Sequence, residues 1–207
     1  LDTMNMKMKN SRGFTLIEFI IASAIVAIIM ASVVTLFRDF FIANTNLGES
    51  FLSQREAEEL MDETIHEVRE AAPSDLGAYP LEIADITSFA FYSNIDGDSS
   101  RERVHYFVDG TDLKRSVVEP GGVPLSYSTT TGATESLRTV LRDVVAGQQL
   151  PMFSYRSGFS TTTVPDTLPI DQIRLVIIRF TIDRDPQVLP QATTIFGLAN
   201  LRNLKQY

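Results

Sequence analysis

The sequence predicts an α+β protein in which one long N-terminal helix, apolar in its first half and amphipathic in its second, packs on a mainly antiparallel β-sheet head. Three observations carry this reading. No proline interrupts the stretch between Gly13 and Pro73, and Gly48 is the only glycine inside it, so nothing forces a helix break there. The segment Phe19 to Phe37 holds no charge. Beyond residue 80 the apolar pattern changes from helical spacing to alternation, with Asp-Gly turns between the runs.

In the first half, Ser23, Ser32 and Thr35 are the only polar side chains between Phe19 and Phe37. At about 1.5 Å per residue this run makes a helix close to the thickness of a bilayer's hydrocarbon layer, which is about 30 Å. Glu18 stands at its start, where a carboxylate facing lipid costs about 2–3 kcal/mol and demands a positive partner. Lys7, Lys9 and Arg12 precede the run, whereas Arg38 behind it is answered by Asp39. The positive-inside rule therefore leaves the bulk of the chain outside the cytoplasm. The run is longer than the 7–15 residue core of a secretory signal, and no clean small-x-small cleavage site follows it.

In the second half, Leu47, Phe51, Leu60, Met61, Ile65 and Val68 recur at helical spacings, and Glu56, Glu58, Glu59, Asp62, Glu63, Glu67 and Glu70 fall on other faces, either as a solvated acidic surface or as a face that meets basic subunits. Pro73, Ser74, Asp75 and Gly77 end the helix. From Ile83 to Glu119 the chain reads as a three-stranded antiparallel meander, with Ser88–Tyr92, Arg103–Val108 and Leu113–Val118 as its strands. Ser128 to Thr134 is a loop, and so is Ser157 to Pro169. Ser136 to Ala146 fits either a short helix or a strand. Gln172 to Ile182 is the strongest strand, central and packed on both sides, and Thr193 to Leu198 closes the sheet. Phe89, Phe91, Val104, Tyr106, Ile173, Leu175, Ile177 and Phe180 are the expected core of the head.

The chain has 207 residues, no cysteine and a net charge of −8. That acidity argues against nucleic-acid binding by the head, and no disulfide holds the fold together. Asn94, Asp96 and Asp98 alternate around Gly97 like the first half of a calcium loop, but His105 stands where a bidentate glutamate belongs. They are weak calcium candidates beside the simpler reading as hairpin-turn residues. His66 and His105 are the only histidines, and spacing supplies neither with zinc or triad partners. Arg101, Arg103, Lys114 and Arg115 form a basic cluster on the hairpin beside Asp96, Asp98 and Glu102, which suits cross-strand pairing or a subunit contact. No catalytic residues and no cofactor are expected.

The stretch Arg12-Gly13-Phe14-Thr15-Leu16-Ile17-Glu18, with basic residues before it and the apolar run after it, resembles the class III signal of type IV pilins and of type II secretion pseudopilins. The resemblance implies a prepilin peptidase that cuts after Gly13 and N-methylates Phe14. It also implies that Glu18 pairs with the N-terminus of a neighbouring subunit. The order of acidic helix, Ala-Ala-Pro break, strand, Asp-Gly-Asp turn and hairpin resembles more loosely the minor pilin-like proteins of the J or W kind. Major pilins commonly carry a proline in the apolar half and a C-terminal disulfide loop. This chain has neither, which points to a minor subunit.

The expected organisation is a leader over 1–13, a transmembrane and polymerisation helix over 14–38, an amphipathic helix over 39–72, and an extracytoplasmic β-rich head over 73–207. Leu1 is not methionine, and Met4, Met6 and Met8 are candidate starts. The expected partners are other pilin or pseudopilin subunits, the prepilin peptidase, the inner membrane and an assembly platform. Before assembly the chain is expected as a single-pass protein of the cytoplasmic membrane, and afterwards at the cell surface or in the periplasm. The alternative is a single-pass anchored binding domain that never polymerises.

Overall fold

Helical propensity without a breaker produces helix α1, Leu16–Arg69. The computed structural model describes residue 13 and residues 15–157, 168–183 and 192–201, with the side chains of residue 43 and residues 45–50 left aside. Residues 1–12 of the leader, Phe14 and most of the expected loop from Ser157 to Pro169 lie outside the described residues. Two compact units divide the chain at Leu47 and Gly48.

In the first unit the described side chains of α1 are exposed throughout, with Phe19 at 69% and Leu36 at 70%. Leu16–Ile42 is the one helical stretch among the described residues long and apolar enough to cross a membrane. Its three hydroxyls turn back onto the helix. Ser23 donates to the Ile20 carbonyl at 2.8 Å, Ser32 to that of Ile28 at 3.0 Å, and Thr35 to that of Ser32 at 2.8 Å. The uncharged run from Phe19 to Phe37 therefore presents little unsatisfied polarity to its surroundings.

In the second unit the rest of α1 is followed, among the described residues, by eight strands. Strands β1 (Leu81–Ala84), β2 (Ser88–Ser93), β3 (Glu102–Asp109), β4 (Asp112–Glu119) and β5 (Thr134–Leu141) form an antiparallel sheet in chain order. Strands β6 (Phe153–Arg156), β7 (Leu175–Ile182) and β8 (Thr193–Asn200) form a second antiparallel sheet. The expected meander is β2 to β4, extended by one strand on each side. Of Ser136 to Ala146, the part up to Leu141 is strand and the rest is irregular: the spacing suits either state, and pairing of β5 with β4 decides.

Alternation on β2 and β3 turns Phe89, Phe91, Val104 and Tyr106 inward, where all four are fully buried. Phe89 packs on Phe153 and Tyr155 with ring centroids 5.5 and 5.8 Å apart, tying the two sheets together. The Met152 and Phe153 amides both donate to the Ile86 carbonyl at the same junction. Ala57, Leu60, Met61 and Val68 of α1 complete this core. Phe51 does not join it and is 69% exposed. Of the residues expected in the core, Ile177 is only half-buried, because it shares the outer face of β7 with Arg179 while Val176, Ile178 and Phe180 point inward.

Glu67 departs furthest from its sequence pattern. It is 6% exposed, and its carboxylate accepts from the Tyr106 hydroxyl at 2.8 Å and from the Arg115 guanidinium. Arg115 Nε also donates to the Tyr106 oxygen at 3.1 Å, and Glu63 binds Arg138 at 2.9 Å on the exposed flank. Burial pushes the Glu67 carboxyl above its usual range, against the opposing pull of Arg115.

Candidate processing and assembly site

Thr15 and Glu18 are linked at the start of α1. The Thr15 amide and hydroxyl both donate to Glu18 Oε2 at 2.8 Å, and the Glu18 amide donates back to Thr15 Oγ1 at 3.3 Å. This is a capping box, in which the first-turn carboxylate and the N-cap hydroxyl satisfy each other's backbone donors. The expectation for Glu18 concerned only a partner on another chain. The T-x-x-E spacing that announces the cap was present in the sequence, and it assigns Thr15 a role that the charge argument missed. Both residues are exposed, so the carboxylate stays within reach of a further cation. Gly13 is exposed just before the cap, and no atom lies within 4 Å of where its Cβ would be. Phe14 lies outside the described residues.

The calcium candidates occupy the connection from β2 to β3. Asn94 Oδ1 accepts from the Gly97 amide at 2.7 Å, and its Nδ2 donates to the Asp98 carbonyl at 2.7 Å, so Asn94 braces the turn. Gly97 has φ +79°, which favours glycine there. Asp96 and Asp98 come together with Glu102, their ligand oxygens lying within 4.8 Å of one another. Each has a task inside the turn: Asp96 accepts the Asp98 amide, Asp98 the Ser100 amide, and Glu102 the Ile95 amide at 2.8 Å. Glu102 was read as part of a surface charge cluster, yet it is 1% exposed.

Burial raises the Glu102 carboxyl, with Glu119 and Asp96 adding to the effect. An acid whose folded-state pKa is raised penalises folding fully above that pKa, and the penalty fades as pH falls toward the unfolded value. Glu102→Gln keeps an acceptor for Ile95 and loses the charge. In chelator-containing buffer the variant is expected to melt higher than the parent at pH 7.5, with the gap closing by pH 4. A gap independent of pH would refute the electrostatic account.

The basic cluster does not act as one patch. Arg101 binds Asp75 at 2.9 Å, Arg103 binds Glu82 at 2.6 Å, Lys114 binds Asp109, and Arg115 is buried on Glu67. His105 Nε2 lies 2.9 Å from Ser88 Oγ, and burial with nearby Arg103 lowers its pKa. His66 is exposed on α1 next to Glu70.

Residues 8–34 match the family model described as the prokaryotic N-terminal methylation motif. No curated protein matches the chain. The matched segment takes in Gly13, the Thr15–Glu18 capping box and the larger part of the apolar helix. It supports a type IV pilin-like family and a substrate of prepilin peptidase.

Proposed function

We propose that the protein is a minor structural subunit of a type IV pilus or a type II secretion pseudopilus. It is cut after Gly13 by a prepilin peptidase, N-methylated at Phe14 and assembled through its N-terminal helix. The observation that carries the reading is the continuity of the methylation motif with an exposed apolar helix that opens on Glu18. The missing proline in the apolar half and the missing cysteines support the minor role. Lys7, Lys9 and Arg12 keep the leader in the cytoplasm and send the head outward. The role is structural, with other subunits, the peptidase and the assembly platform as partners.

Mass spectrometry of the native protein tests processing directly. The expected N-terminus is N-methylphenylalanine at position 14. An intact leader would instead indicate an anchored domain that never polymerises. Assembly is tested at Glu18 with two variants. Glu18→Ala loses both the charge and the cap, while Glu18→Gln retains a capping-box residue and loses only the charge. If the carboxylate pairs with a neighbour's ammonium, both variants insert in the membrane but enter filaments at least about tenfold less well. Normal incorporation of Glu18→Gln would reduce Glu18 to a helix cap.

A further inference from the structure

Strands β6, β7 and β8 contain no acidic residue and only two charged ones, Arg156 and Arg179, in a chain of net charge −8. The outer face of this sheet also carries exposed hydrophobic side chains. The register sets Arg179 opposite Phe196 and Ile177 opposite Leu198, with Phe196 72% and Leu198 49% exposed. Among the described residues Arg179 has no carboxylate partner and β8 pairs only with β7. A sheet edge without charges lacks the usual defence against association.

The amphipathic part of α1 presents the complement. Between residues 51 and 63 five exposed acids face one base, Arg55, which is already bound to Glu59. Leu52, 64% exposed, and Glu56 border a cleft of about 460 Å³ between α1 and β5, lined also by Val140 and Leu141. Glu56, like Arg179, lacks an ion-pair partner among the described residues. Each surface thus sets an unpaired charge near exposed hydrophobic side chains, and the two charges are opposite.

We propose that the outer face of β7 and β8 on one subunit docks on this segment of α1 in a second copy of the chain, with Phe196 entering the cleft beside Leu52 and Arg179 meeting Glu56. Two different patches of the same molecule make the contact, so it is heterologous, and each copy keeps one patch free to extend the assembly. The contact adds a head-to-head interaction to the helix-mediated assembly proposed above and does not depend on it.

The absence of cysteine makes the test clean. Thr194→Cys marks the sheet face and Thr139→Cys the cleft, both at exposed positions that leave the contact residues in place. Full-length protein of each variant, in detergent micelles, is mixed and treated with a short bismaleimide. The expected product is a dimer linking position 194 of one chain to position 139 of another, in excess over either self-linked dimer. Arg179→Glu should lower its yield about tenfold, and Glu56→Arg in the partner should restore it. Predominant 194-to-194 linkage would show edge-to-edge pairing and overturn the proposal, as would absence of the mixed product or failure of the charge swap to rescue it. Neither marker lies on the apolar helix, so such a failure leaves the Glu18 experiment unaffected.

Discussion

Arg115→Ala is expected to destabilise the head by about 3–5 kcal/mol, because it leaves the Glu67 carboxylate buried without its cation. The Tyr106 hydroxyl still donates to Glu67, but one neutral hydrogen bond does not offset the desolvation of an ionised group. Arg138 offers no substitute, since its guanidinium lies on the exposed flank with Glu63. Glu67→Gln in the same Arg115→Ala background should recover much of the loss, because no charge then remains to be compensated. Chemical denaturation of the full-length variants in micelles, followed by near-UV circular dichroism, reads the difference. A loss under about 1 kcal/mol for Arg115→Ala would place the pair in the range of surface ion pairs.

The second large effect is expected at Gly13. Gly13→Val should leave the leader attached, because a branched side chain at the scissile position does not fit a peptidase site shaped for glycine. The fold itself gives no reason for glycine here: no atom lies within 4 Å of the Cβ position, and the residue is exposed. Folding of the head is therefore expected to survive while maturation stops, a separation that marks the site as one of recognition rather than architecture. The readout is the mass of the membrane-extracted protein in cells that process the parent chain. Normal maturation of the variant would move the cut elsewhere.

The division between what was legible and what was not follows from the range of the interactions. Local signals read well. The helix from the absence of breakers, the strands from alternation and the turn at Asp96-Gly97 all depend on neighbours within a few residues. Thr15 and Glu18 were equally local, and the cap escaped only because the charge of Glu18 drew attention to a distant partner instead. Glu67 could not be read locally. By type it belongs with the acidic residues around it, and what separates it is an arginine 48 positions away on a strand whose register only the folded sheet sets. Arg103 found Glu82, on neither of the strands flanking its own turn, by the same mechanism. The exposure of Ile177 was hidden by its run of apolar neighbours: continuous hydrophobicity gives no phase, so the face of each residue is fixed by pairing alone.

Gly197 on β8 has a mechanical consequence for the helix it faces. A Cβ there would collide with Ile65 Cδ1 and lie 2.7 Å from Met61 Sδ, so these two side chains rest on bare strand backbone. Two residues beyond Ile65 on α1, Glu67 is fastened to β3 and β4 through Tyr106 and Arg115. A rod held by an ionic fastening on one side and seated in a notch on another resists turning about its own axis: rotation in one sense stretches the fastening, and in the other it drives Ile65 and Met61 into the strand. Torque applied to this stretch of α1 would therefore pass to both sheets instead of dissipating as rotation of the helix.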